Sequence, residues 1–409
     1  MRPVLIILLF LSPVWLFSQA HYTFMYEQGF SAHSGAENLI SANYIYGTID
    51  KNYIPVNIFK EKKTIGKIGN IAYRLVKYWY IDYQLSIWGG FVQHEYFGHT
   101  ARAEQAGFYD AYPVIGIPYF LYRSPKTTLG EHYRPYTTNE RRIIYAGGSE
   151  ANFILAKDIL NKTLLGNKVL YQQSIFYLRN KLNLLYPIIL VDDVDNIADI
   201  RGYNYGIDYN GDKAEVNRQI KTLAWLDLII DPMNYVSVYS IFKNYIYEGK
   251  HETKIPMFRI GNKFRYLPDF RFLLAPYSPE LMYENYIRFD KKLLYINIRH
   301  AALTIHNSFG ISAKLFNYNV SRFFIFDTQI SYWDQPKFII HTESTNEQVT
   351  LNEKGYGWAF INTVHYRFID KFNLSLTAEA GYKTGGYLEG EMLKSGLILR
   401  GGFSFNFEK

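Results

Sequence analysis

Two periodicities divide the chain. From about residue 66 to 248 apolar positions recur at helical spacing. Ile68–Ala106 is one long apolar-rich stretch, with Gly89-Gly90 inside it as a kink or a point of close packing. Ala151–Leu165 leads to Gly166, a residue suited to the left-handed position that ends a helix. Val169–Ile200 is interrupted by Pro187. Asp212-Lys213-Ala214-Glu215 reads as a capping-box start for a helix to Asp231, and Pro232 separates that helix from a segment ending at Tyr247. These helices are apolar on most faces, so they bury one another, pack on a barrel wall or touch lipid.

From about residue 255 the period falls to two. Leu303, Ile305, Phe309, Ile311, Ala313 and Leu315 alternate with Thr304, His306, Ser308, Gly310, Ser312 and Lys314. Phe372, Leu374, Leu376, Ala378, Ala380 and Tyr382 alternate with Asn373, Ser375, Thr377, Glu379, Gly381 and Lys383. Leu397, Leu399, Phe403, Phe405 and Phe407 face away from Arg400, Ser404 and Asn406. The strands run for about ten to fourteen residues, against about five or six in ordinary globular sheets. About eight such strands fit between Ile255 and Phe407, and others fit between Tyr22 and Phe59. The pattern predicts an α+β chain whose N-terminal and central part is helical and whose C-terminal part is an antiparallel barrel of about eight or more strands. An ordinary sheet with one wet face produces the same alternation.

Composition narrows the class. The 409 residues include no Cys, so disulfides, Cys-ligated metals and thiol nucleophiles are excluded. Hydrophobic residues make up 48% and aromatics 18%, which is enough apolar surface to fold without staples. A mean hydropathy of −0.16 excludes a bundle of membrane-spanning helices. It leaves room for a membrane barrel, in which lipid-facing and inward residues alternate. The net charge of +7 is spread thinly, and no run of five Lys or Arg occurs, so nucleic acid is not an expected partner.

Met1-Arg2, the apolar run Pro3 to Phe17, and the small residues of Ser18-Gln19-Ala20 have the make-up of a signal peptide, with His21 beginning the mature chain. The remaining divisions are an N-terminal segment over 21–65 with possible strands, a helical domain over 66–250, and the barrel over 251–409. The alternation, the aromatic content and the Phe-rich last strand resemble the outer-membrane β-barrel proteins of Gram-negative bacteria. That resemblance implies export to the cell outer membrane and contact with its lipid. Glu408-Lys409 after Phe407 departs from the terminal aromatic usual in such barrels.

One constellation carries chemistry. Gln93-His94-Glu95-Tyr96-Phe97-Gly98-His99-Thr100-Ala101-Arg102 is a zincin-like H-E-x-x-H with its second His one residue late. On a regular helix residues five apart differ by about 140° in direction, so the imidazoles would not meet one ion. A π-bulge or local unwinding repairs this, and Gly98 is where the backbone deforms most easily. The H-E-x-x-G-H spacing resembles that of the dipeptidyl-peptidase III family of zinc peptidases. Within the motif alone, the resemblance implies His94 and His99 as zinc ligands, Glu95 as catalytic base, and a downstream Glu as third ligand. Glu150, in Ala146-Gly147-Gly148-Ser149-Glu150-Ala151-Asn152, is the candidate, with Asn152 orienting a ligand. A plain helix-start acid is the other reading of Glu150.

Arg102 is expected to hold a substrate anion or the oxyanion. The acidic run Asp192-Asp193-Val194-Asp195-Asn196 with Asp199 could hold calcium but lacks EF-hand spacing. Asp208–Asp212 reads as a turn, and His306 and His365 as lumen or surface residues. The expected function is a membrane-associated zinc-dependent hydrolase, by default a metallopeptidase, with a lipid ester or amide as the alternative substrate. The contrasting expectation is a non-catalytic barrel, a pore or assembly component, in which His94, Glu95 and His99 form a structural network.

Overall fold

The period-two part of the chain forms a ten-stranded antiparallel sheet in a computed structural model that describes residues 21–27, 32–60, 64–116, 125–129, 137–204, 213–301, 307–341, 348–351, 353–369 and 374–406. The signal segment, Asp208–Asp212 and His306 lie outside these residues. The strands are β1 (Tyr22–Glu27), β2 (Phe258–Ile260), β3 (Phe264–Leu274), β4 (Pro279–Phe289), β5 (Lys292–Ala301), β6 (Phe309–Asn319), β7 (Phe324–Asp334), β8 (Tyr356–Ile369), β9 (Leu374–Lys383) and β10 (Gly396–Phe405). From β2 to β10 each pairs with the next in sequence. β1 then returns across the whole chain to pair with β10, Tyr22 opposite Phe405 and Glu27 opposite Arg400.

The sense of burial is inverted. On β9 the polar Ser375, Thr377, Glu379 and Lys383 are buried, while Leu376, Ala378, Ala380 and Tyr382 are exposed. The same holds on β10, where Leu397, Leu399 and Phe403 are exposed and Arg400 and Ser404 buried. The buried charges are paired. Arg400 meets Glu379, Glu391 and Glu27; Arg271 meets Glu284 and Glu389; Arg299 meets Glu280. Desolvating these charges is tolerable because each has a partner of opposite sign.

Helices line this inner face. They are α1 (Ala32–Tyr53), α2 (Thr64–Lys77), α3 (Tyr83–Phe91), α4 (Ala101–Gln105), α5 (Thr138–Gly166), α6 (Tyr171–Leu190), α7 (Ala198–Asn204), α8 (Lys213–Ile230) and α9 (Pro232–Val238). Tyr78–Asp82 joins α2 to α3 as a π-turn, and Val92–Thr100 joins α3 to α4 in the same way. Ile154, Leu155 and Ile159 of α5 share one core with Ala36, Ile40 and Tyr44 of α1 and with Leu267, Tyr286, Leu293 and Phe405 of the sheet. A second core joins Leu184, Leu185 and Ile188 of α6 to Phe272, Leu273 and Leu274 of β3. Both cores therefore draw on helices and strands together.

Among the described residues the sheet does not close on itself, because its end strands β1 and β2 are not neighbours. Helices stand where a closing strand would. The Asn38 amide donates to the carbonyl of Met25 (3.0 Å) and accepts from its N–H (2.7 Å), and Ser41 donates to the carbonyl of Thr23. At the far end the Asp227 carboxylate accepts from the N–H of Phe272, and the Tyr203 hydroxyl donates to the carbonyl of Ala275. Side chains thus satisfy backbone groups that an open edge would leave bare.

Three local expectations change. Within 21–65 only β1 is a strand; the rest of the described segment is mainly α1, whose buried Ala36, Ile40, Tyr44 and Gly47 follow helical spacing. Pro187 lies within the last turn of α6, which continues to Leu190. Gly166 is still helical, and Asn167 takes the left-handed position with φ 59°. A methyl group on Gly166 would meet no atom within 4 Å. Gly166→Ala is therefore expected to stabilise the chain by about 0.5–1 kcal/mol, read from denaturant midpoints.

Candidate metal centre

The late histidine is accommodated by the backbone itself. Residues 92–100 form a π-turn, whose hydrogen bonds link residues five apart, so His94 and His99 fall on one face. Their Nε2 atoms lie 3.1 Å apart and their rings are nearly perpendicular, at 85°. Three glycines make room. A Cβ on Gly98 would sit 2.6 Å from Cα of Gly148, and one on Gly147 would sit 2.9 Å from the carbonyl oxygen of Gly98. One on Gly148 would lie 2.5 Å from Nε2 of both histidines. α5 therefore crosses the motif backbone to backbone, and the imidazoles occupy the space its glycines leave.

Hydrogen bonds fix which nitrogen faces inward. His99 Nδ1 is 2.6 Å from the carbonyl of Ile144; as the donor in that bond it leaves Nε2 with its lone pair. His94 Nδ1 lies 3.2 Å from the amide of Asn152 and 3.1 Å from that of Asn183. Oδ1 of Asn152 is buried without a partner. Turning both amides over lets their oxygens share Nδ1–H, which satisfies Oδ1 of Asn152 and frees Nε2 of His94 in the same way. Two lone pairs 3.1 Å apart repel unless a proton or a metal ion lies between them.

The third group is Asp199 on α7. Its Oδ2 is 3.2 Å from His94 Nε2 and its Oδ1 is 3.4 Å from His99 Nε2. These three residues form a cluster that could hold a metal ion. A tetrahedral ion with bonds of about 2.0–2.1 Å separates its ligands by about 3.3 Å, close to the spacings here. The Asp199 side chain is 24% exposed against 10% and 8% for the histidines, so the cluster opens on the Asp199 side. Glu95 is buried beside it, its carboxylate accepting from the Thr127 hydroxyl at 2.9 Å. Its negative charge reaches His99.

The expected third ligand is corrected. Glu150 instead grips Arg102, accepting from Nε at 2.9 Å and Nη2 at 2.5 Å, and accepts from the N–H of Gly390 at 2.7 Å. Arg102 is correspondingly occupied, donating also to Gln105 and to the carbonyl of Glu391, with Tyr387 beneath its guanidinium. It braces the helix and does not present its charge to the cluster, contrary to the expected anion-holding role. Asn152 does contact His94, as expected. Asp199 was visible in sequence only as the end of the acidic run from Asp192, about a hundred residues beyond the motif.

Without an ion, burial disfavours charge on His99, but the Asp199 carboxylate, its hydrogen bond, Glu95 and the Ile144 carbonyl outweigh it. They raise the imidazolium to about 9. Burial likewise opposes ionisation of Asp199, and the two histidines overcome it, holding its carboxyl well below the usual range. A raised histidine contributes stability below its unfolded value of about 6.5 and loses it as pH climbs through about 9. Metal-free protein is expected to lose thermal stability over that window, and Asp199→Asn to flatten the profile. Melting curves in chelator across pH 6–10 would check this.

Compared with known protein families, curated proteins and solved structures, the chain shows no significant match.

Proposed function

We propose that the chain is a membrane-associated, metal-dependent hydrolase of the bacterial outer membrane, with zinc held by His94, His99 and Asp199. The observation that carries the reading is the convergence of two inward imidazole nitrogens and a carboxylate at tetrahedral spacing, with a buried glutamate alongside. A zinc ion there would lower the pKa of a bound water and polarise a carbonyl. Glu95 would take the proton, its carboxylate held by the Thr127 hydroxyl. The scissile group is an ester or amide, with a peptide bond as the motif's default.

The membrane part of the proposal rests on the inverted sheet. Strands β3 to β10 carry ten to fourteen residues each, enough for a tilted crossing of the hydrocarbon layer. Their outward face presents Tyr283, Ile298, Ile311, Ile330, Phe360 and Leu399. A soluble sheet would place those residues inward and Glu379 and Arg400 outward. Beyond the sheet, the turn after α2 and helices α3 and α8 also expose apolar side chains, among them Trp79, Leu85, Trp225 and Ile229. None of the described helices is long and apolar enough to cross a membrane.

Glu95→Gln is expected to retain metal and fold while hydrolysis falls by about 10²–10⁴-fold. Elemental analysis and turnover of a model ester or amide on the same sample check it. No stoichiometric transition metal in native protein would leave the cluster as an ion pair and end the hydrolase reading.

A further inference from the structure

Along α6 the residues Arg179, Asn183, Tyr186 and Leu190 follow one another at steps of four, three and four, so they share one face. Asn183 is the member that touches the metal cluster, through Nδ1 of His94. One turn earlier lies Arg179, its guanidinium over the ring of Phe91 with 5.2 Å to the centroid. Its Nε is shielded from solvent and has no hydrogen-bond partner. Among the described residues no carboxylate is paired with it, unlike the buried Arg102, Arg271, Arg299 and Arg400. Arg179 is half-buried and cannot shed its proton, and with no carboxylate of the described chain paired to it the guanidinium is open to an anion from outside.

The other side of the cluster is apolar and open. Tyr186 and Leu190 are 61% and 60% exposed. A charged anchor and a hydrocarbon strip therefore flank the same two site residues, His94 and Asn183, from opposite directions.

We propose that Arg179 is the anion-holding residue of this site, and that the substrate is an anionic amphiphile. Its negative group rests on Arg179 and its hydrocarbon lies along Tyr186 and Leu190, which brings the intervening ester or amide to the metal. The proposal rests on the hydrolase reading for the reaction. The binding it predicts can be read without turnover. Arg179 acts by charge, as a bidentate or single donor to phosphate or carboxylate.

The test uses the full chain reconstituted in phosphatidylcholine bilayers, with trace photoreactive phosphatidic acid or photoreactive phosphatidylcholine bearing the same acyl chains. Labelling of peptides covering 83–91 and 171–190 is read by mass spectrometry. The expected result is at least a five-fold preference for the phosphatidic acid probe in wild type. The preference should fall to parity in Arg179→Gln and largely persist in Arg179→Lys. Arg179→Met, which keeps the stem over Phe91, replaces the Gln variant should that one fail to accumulate. Equal labelling by both probes in wild type, or a preference that survives loss of the charge, overturns the proposal. So does complete competition by millimolar inorganic phosphate, which would make the site one for free anions. Metal content of the same samples reports on the hydrolase reading separately, and Arg179→Gln is expected to keep its metal.

Discussion

Gly148→Ala is expected to abolish metal binding. The added methyl would lie 2.5 Å from Cε1 and Nε2 of His94 and 2.5 Å from Nε2 of His99, so it would occupy the approach to both coordinating atoms. Relief by ring movement is blocked on the far side. His99 is tied through Nδ1 to the carbonyl of Ile144, and His94 is held between the amides of Asn152 and Asn183. Relief by retreat of α5 would give up the backbone-to-backbone packing of Gly147 on Gly98. The strain is local and on the order of the 1–3 kcal/mol typical of overpacked cores, so folded protein should still accumulate. Its metal affinity is expected to fall by about a hundredfold or more, beyond the loss seen when only an orienting group is removed. Competition with a chelator of known affinity measures it. A variant that binds metal as tightly as wild type would show that the ion does not sit between these two nitrogens.

How much of this was legible in the sequence depends on range. The alternation of Leu376 and Tyr382 with Ser375 and Glu379 is local, and it gave the strand and its two faces. Which face is buried was not local. It depends on Arg400 meeting Glu379 and Glu391, and on α5 packing inside the sheet, and no strand carries that information alone. The pairing of β1 with β10 is likewise invisible along the chain, since Tyr22 alternates too briefly to declare a partner nearly four hundred residues away. The capping of edge backbone groups by Asn38 and Asp227 lies further still from any pattern of period two.

In the site, the backbone distortion was foreseeable. Two histidines five positions apart cannot share a face on a regular helix, and Gly98 marks where the chain yields. The interplay of Gly147-Gly148 with that distortion was legible as close helix approach, though not as the space for the rings. The third ligand was not foreseeable by spacing. Glu150 is as near to the motif as a third ligand commonly lies, yet on α5 its carboxylate falls towards Arg102, whose buried charge it balances at contact distance while Glu391 adds a weaker pull. Asp199 arrives from a separate helix, by way of the turn after α6.

That division of labour between two acids predicts a double dissociation. Glu150→Gln removes the charge opposing a guanidinium that cannot shed its proton, and it weakens the hold on the N–H of Gly390. Breaking a buried pair from one side costs about 3–5 kcal/mol, so this variant should lose much of its stability whether or not metal is present. Asp199→Asn strands a partner that can respond: His99 returns to the neutral form, and the carboxylate lost is the most exposed member of the cluster. Its stability in chelator should therefore stay closer to wild type, while metal affinity falls by about a hundredfold or more. Denaturant midpoints in chelator, with metal titration on the same proteins, read both axes. If Glu150→Gln lost metal at unchanged stability and Asp199→Asn kept it, the ligand set would have to be redrawn around Glu150. The opposite pattern assigns Glu150 and Arg102 to holding the motif against α5 and the inward loop at Gly390, and assigns the chemistry to His94, His99 and Asp199 with Glu95 beside them.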